Sequence, residues 1–406
     1  MKICIIGNGT ASAIALLQIF AVLKKSKQKL VKNLEVHCIH DPNITPVQVG
    51  ETSTSLIYEL LYHALNFDIV TEGAELDCTT KWSVRYFWEE ANGKNFIVRS
   101  APGINFNSDT FSKFTLKRLT ALYNNFKEIH DTVIDIKQDE RSATVFGVKD
   151  KYNYDFVIDC MGTPTPEELN SKEYLFPDFK VVNSVILYPE IKENLDKFNF
   201  TGAYVHKNGW MFSIPLQHRT TWGYLYNNNI TSEEEAIEHF SKIKNIDASK
   251  LRRFSWEQYY KKNAMDNRIL YLGNKLHFFE PHMSLPLHFY TNVMQNVTDY
   301  ILRLNWSEDY SRLTLAINEW YVNNIEAIQS LLAINYAGPN NIKSSFWEYA
   351  KPAALNRLNN CNRFKSWAVN TVINGKPTTS FWKMNDFVID EYIKGYQIDL
   401  TKFVNV

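Results

Sequence analysis

The chain has 406 residues, enough for one large domain or two closely packed ones, and its 45% apolar and 22% charged content is that of an ordinary globular protein. Lys plus Arg equals Asp plus Glu at 44 each, so there is no basic surplus of the kind generic nucleic-acid binding needs. No apolar run reaches the roughly eighteen residues of a membrane span, no signal-peptide pattern opens the chain, and five scattered cysteines lack a C-x-x-C pair, so a disulfide framework, a metal site and a membrane are not expected and a reducing cytoplasm is.

In chain order, Lys2 to Ile6 (KICII) reads as a strand, Gly7-Asn8-Gly9-Thr10-Ala11-Ser12 as a glycine turn, and Ala13 to Leu23 as a helix. Strand, glycine turn and helix together give a G-x-G-x-x-G pattern its meaning. Gly7 permits the tight turn, and Gly9 lets backbone approach a pyrophosphate. The amides opening the helix, at Thr10 and Ala11, offer partial positive charge to phosphates. Ser12 stands in for the third glycine and is small enough for close helix packing. The one basic run, Lys24 to Lys32, reads as a solvated helix end and turn. Leu34 to His40 is the next strand. Asp41 follows it, and reads equally well as the ribose-binding acid of such a fold or as a turn-former before Pro42.

Val49-Gly50-Glu51-Thr52-Ser53-Thr54 leads into a helix from Leu56 to Leu65. Residues 82 to 100 alternate as strands with a turn predicted at Asn92-Gly93. A helix is expected over Phe111 to Phe126, a strand pair over Thr132 to Ile136 and Ala143 to Val148, and a buried strand over Tyr154 to Asp159. Several strands and one charged helix, Ser232 to Ile243, occupy residues 180 to 260. Arg268 to Gly273 is another buried strand, and Leu287 to about Ala333 is helical by pattern. Interleaved strands and helices make the class α/β, a dinucleotide-binding Rossmann-like fold with an inserted β-sheet region and a helical C-terminal part. We divide it into residues 1–290, the cofactor module with its insert, and 291–406, a mainly helical substrate-side region.

Four segments in order resemble the flavin-dependent tryptophan halogenases. They are the glycine turn, Val49-Gly50-Glu51, the long run Gly209-Trp210-Met211-Phe212-Ser213-Ile214-Pro215-Leu216-Gln217-His218-Arg219, and Phe278-Phe279-Glu280-Pro281. Ser345-Phe346-Trp347 is a weaker echo. The resemblance implies FAD, reduced by a separate flavin reductase, with Gly7, Gly9, Thr10, Ala11, Asp41, Gly50, Glu51 and Gly273 as its candidate contacts. It implies that oxygen and halide give hypohalous acid, which reaches a lysine and then a small electron-rich aromatic substrate. Lys81 occupies the family lysine's position, and Glu280 is the second candidate catalytic residue. Trp210, Phe212, Ile214 and Pro215 would form the barrier between flavin and substrate, and Ser284 and Leu285 would hold the halide.

Three departures bear on that implication. Phe212 replaces a second tryptophan, Met283 stands where the family has a carboxylate partner for the lysine, and Pro286 removes a backbone amide near the halide. The last of these suggests a preference for bromide or iodide. Two other readings stay open: an FAD-dependent monooxygenase, and an FAD-binding relative without halogenating activity.

Overall fold

The structure, a computed structural model, describes residues 1–26, 33–44, 50–99, 101–191, 200–303, 310–377 and 386–404. Lys27 to Lys32 of the basic run, and Val49, lie outside them. Lys2–Ile6 forms the centre of a six-stranded sheet, with Glu35–His40 and Phe126–His130 on one side and Phe156–Asp159, Ile269–Tyr271 and Met265–Asp266 on the other. All neighbours are parallel except the last pair. Alternation along the first strand decides its layers. Ile3 and Ile5 face the helical side of the core, whereas Cys4 and Ile6 pack with Ala143, Val145 and Tyr154 of a three-stranded antiparallel sheet on the other face. The expected α/β class and Rossmann-like core are therefore present.

The helix Thr10–Lys25 is buried almost all round because helices Ser55–Leu65, Ser108–Leu122 and Leu285–Arg303 pack on it. That last helix runs across residue 290, and the long helical stretch expected over 287–333 is divided between it and Ser311–Ala337. The second helix is amphipathic at first, with Leu313, Ile317 and Tyr321 buried, and then buried at every residue from Ala327 to Ala337 as it enters the core.

A second, seven-stranded sheet carries the long tryptophan-containing run. Its order is Arg252–Ser255, Ser184–Ile191, Arg219–Tyr226, Gly209–Pro215, Phe200–His206, Ser83–Phe87 and Phe96–Val98. The last two strands are joined through a short helix, Glu89–Asn92, ended by left-handed Gly93, and not through the tight turn expected at Asn92-Gly93. The helix expected over 111–126 starts earlier, capped by the Asn107 side chain, and stops at Leu122. Phe126 belongs instead to a strand, opposite Val36. All five cysteines are free and buried, and among the described residues no helix is long and apolar enough to cross a membrane.

The glycine turn lies where the sheet order reverses, between the strands Lys2–Ile6 and Phe156–Asp159. Gly7 has φ +109°, and a β-carbon there would sit 2.7 Å from the Cys160 carbonyl oxygen. Gly7→Ala should therefore lower unfolding free energy by about 2 kcal/mol or more. Urea or thermal unfolding checks this, and an unchanged midpoint would contradict it.

Candidate active site

Gly9 caps the helix Thr10–Lys25 in an extended conformation, with no side-chain cap and no acid in the first turn. The first-turn amides thus keep their capacity for an external acceptor. A β-carbon at Gly9 would meet nothing within 4 Å, so the space beside it is open. Ser12 is buried, and its hydroxyl donates to the Gly9 carbonyl at 2.7 Å. Gly273, at φ +68°, closes on the same helix: a β-carbon there would lie 2.6 Å from Ala11 Cβ. An open glycine cradle under an uncapped helix fits a pyrophosphate.

Asp41 is already engaged. One carboxylate oxygen accepts from the Thr132 hydroxyl at 2.6 Å and the other from the Asn43 backbone at 2.8 Å. Those bonds, the first most of all, hold its carboxyl below the usual range. A cavity of about 340 Å³ beside the glycine turn is lined by Asn8, His40, Pro42, Lys113, Glu128 and His130, among others, and Asp41 is not among its lining residues. His40 Nε2 lies 2.7 Å and His130 Nε2 3.0 Å from the same Glu128 oxygen, Oε1. Sequence reading missed this group because Glu128 is 88 residues from His40 and meets it only through strand pairing.

A small antiparallel sheet, Gly50–Thr52, Gly103–Asn107 and Thr79–Lys81, joins the nucleotide end to the tryptophan strand. Glu51 accepts from the Thr10 hydroxyl at 3.0 Å, and burial pushes its carboxyl up to about 7. Gly50 lets the two sheets meet, since a β-carbon there would lie 3.0 Å from Thr221 Oγ1 and 3.2 Å from Ile214 Cγ2. The Thr79 hydroxyl donates to the Pro215 carbonyl at 2.7 Å. Lys81, two residues on along the same strand, is 2% exposed and has no ion pair among the described residues. Burial lowers its ammonium to about 7.

Trp210, Phe212 and Ile214 share one face of their strand, while Met211 faces a separate core. The Trp210 and Phe212 rings are 6.2 Å apart, and the Phe212 ring lies across Gly223, where a β-carbon would sit 2.2 Å from it. The loop from Glu280 meets this face. Trp210 Nε1 donates to the Tyr336 hydroxyl at 3.0 Å, which donates to Glu280 Oε1 at 2.9 Å. Burial raises the Glu280 carboxyl to about 8. The His282 ring lies 4.0 Å from Trp210, is buried, and has no partner for either nitrogen among the described residues. Burial lowers it to about 3, so it is neutral at physiological pH.

Met283 and Ser284 both have positive φ, +61° and +56°. The Met283 sulfur accepts from Asn335 Nδ2 at 3.3 Å, and the Asn335 carbonyl accepts from Tyr396 at 2.9 Å. Leu285 opens the next helix with its side chain in the core, and Pro286 follows in the first turn. Sequence reading passed over His282, although it lies two residues from Glu280 and could have been noticed there. Tyr336 and Asn335 could not, because only packing of the long helix brings them to the loop.

A family model described as tryptophan halogenase matches residues 99–387. Over 148 residues the chain is 26% identical to tryptophan 7-halogenase RebH of Lentzea aerocolonigenes, covering 34% of this chain and 27% of that protein. Over 244 residues it is 22% identical to tryptophan 6-halogenase SttH of Streptomyces toxytricini, covering 56% and 45%. The chain thus spans less than half the length of these curated relatives. The crystal structure of a tryptophan halogenase from Shewanella frigidimarina superposes with a TM-score of 0.81 at 14% identity, over 98% of this chain and 88% of that one. With the family model covering most of its length, the chain belongs to the tryptophan halogenase family of flavin-dependent enzymes.

Proposed function

We propose that this chain halogenates a small, electron-rich aromatic substrate with FAD, oxygen and halide. The observation that carries the reading is Lys81, buried without an ion pair among the described residues and tied through Thr79 to the apolar barrier strand. Reduced FAD, supplied by a separate flavin reductase, would provide with oxygen the oxidising power that converts halide to hypohalous acid. The protein's part is positional. Gly9, Thr10 and Ala11 would receive the pyrophosphate, with Gly50, Glu51 and Gly273 shaping the cofactor's surroundings. Trp210, Phe212, Ile214 and Pro215 would keep substrate from the flavin. The neutral amine of Lys81 would donate a hydrogen bond to hypohalous acid, or its nitrogen would take the halogen as the halogen–oxygen bond breaks, the hydroxide leaving as water with an amine proton. Met283 cannot ionise, so the substrate range is proposed to be activated rings such as phenols, anilines and indoles.

The test is turnover of an indole and phenol panel with flavin reductase, catalase and each halide in turn. Halide-dependent halogenated product is expected, and hydroxylated product independent of halide overturns the reading. Gly9→Val places a branched side chain in the open cradle. It should abolish FAD binding while leaving the unfolding midpoint near that of the parent, and unchanged FAD affinity would refute the cradle.

Lys81→Met should stop halogenation while oxygen consumption continues. The same change should stabilise the fold. The folded amine titrates near 7 and the unfolded one near 10.5, so between those values the unfolded chain binds more protons and stability rises with pH. Removing the amine should therefore gain on the order of a few kcal/mol at pH 7, fading toward pH 10.5. Melting curves across that range check it, and a variant less stable than the parent at pH 7 would contradict it.

The halide site at Ser284 and Leu285 lacks the amide of Pro286. Chloride is strongly hydrated and needs more donors than bromide or iodide. At equal concentrations, product from bromide or iodide should exceed product from chloride, and chloride turnover equal to either would count against this site.

A further inference from the structure

The bonds around Tyr336 join three parts of the chain that are far apart in sequence. Trp210 belongs to the strand Gly209–Pro215, Glu280 to the loop before the helix Leu285–Arg303, and Tyr336 to the last turn of Ser311–Ala337. All three side chains are buried, at 3%, 1% and 2% exposure. A tyrosine hydroxyl has one proton to give. Here it gives that proton to Glu280 and takes the indole proton of Trp210, so the chain of bonds has one direction. Each member needs the next. Without the hydroxyl, a buried indole N–H and a buried carboxyl oxygen both lose their partner, and each orphan costs about 1–3 kcal/mol. Among the described residues the indole makes no other hydrogen bond. Core packing, against Phe212 and His282 among others, confines the ring, and the bond to Tyr336 fixes the direction of its polar edge.

The neighbouring residue strengthens the same junction. Asn335 holds the Met283 sulfur and receives the Tyr396 hydroxyl. Two residues of the last turn of the long helix, Asn335 and Tyr336, therefore clamp both ends of the Glu280-to-Met283 loop, including the left-handed Met283.

We infer that Tyr336 is a positioning residue that fixes the Trp210 indole in the barrier, with Glu280 serving as the anchor of that bond and not as a group acting on substrate. This rests on the halogenase reading above. A barrier ring free to turn would let hypohalous acid or peroxide escape before reaching the substrate.

The test measures product formed per oxygen consumed, alongside FAD affinity and the rate of reduced-flavin reoxidation. Tyr336→Phe should lower the product ratio at least about fivefold with the two flavin readouts unchanged. Glu280→Leu should copy it, and Glu280→Gln, which restores an acceptor oxygen, should recover most of the loss. In a Trp210→Phe background, which has no indole N–H, Tyr336→Phe should add little further loss. Two results overturn the inference: full additivity in that background, or a Glu280→Gln variant as inactive as Glu280→Leu with its fold and FAD binding intact. A chain that makes no halogenated product at all sinks the halogenase reading instead. The inference is then still decided by near-ultraviolet circular dichroism of the Trp210 indole, taken as the difference from Trp210→Phe. That signal should change in Tyr336→Phe and return toward the parent in Glu280→Gln relative to Glu280→Leu, and an unchanged signal overturns the inference.

Discussion

Burial of ionisable groups without opposite charges sets the terms for the rest of the molecule. Lys81 and Glu280 are both almost fully out of water, and neither has an ion-pair partner among the described residues. Desolvation then favours the uncharged form of each, lowering the amine to about 7 and raising the acid to about 8. Such sites cost folding free energy, and a core of this size is what offsets the cost. Lys81 is held in the small antiparallel sheet, and Glu280 is bonded to Tyr336 of the helix Ser311–Ala337, which is buried along its entire last stretch.

Hydrogen bonds from neutral side chains do the positioning that ion pairs would otherwise do. Thr10 reaches Glu51, Thr52 meets Thr201 at 2.9 Å, Thr201 donates to Asn105 at 3.0 Å, and Thr79 reaches Pro215. These bonds fasten the small sheet to the nucleotide helix on one side and the barrier sheet on the other. Glycines set the spacing of the same contacts. Gly50, Gly223 and Gly273 each stand where a β-carbon would come within about 3 Å of a neighbouring element.

The loop from Glu280 to Leu285 departs most from the family pattern, and it is held at both ends by bonds to Tyr336 and Asn335. Two consecutive left-handed residues, Met283 and Ser284, turn the chain into the helix that Leu285 opens. Strain of this kind persists only where surroundings enforce it, and Asn335 and Tyr336 supply that enforcement. A thioether in this position accepts a weak hydrogen bond and carries no charge, so the acid–base chemistry of a carboxylate is absent at this residue.

The strand, glycine turn and helix at the N-terminus were legible in the sequence because every signal is local: an apolar run, two glycines with defined tasks, and an apolar helix. The same holds for the α/β class, whereas the run from Gly209 was read only as a motif, and the structure made it a strand with Trp210 and Phe212 on one face and Met211 on the other. Boundaries were less legible. Phe126 continues the apolar pattern of a helix, yet pairing beside Val36 makes it a strand residue, and two helices with separate apolar faces read as one between Leu287 and Ala333. What only the tertiary structure decided is which distant groups share a bond. Glu128 meets His40 through the pairing of parallel strands, and Tyr336 meets Trp210 and Glu280 because the last turns of a long helix run through the core. Periodicity along a chain specifies which face of an element is buried, but the partner it is buried against depends on how whole elements pack, and no local pattern in this sequence encodes that.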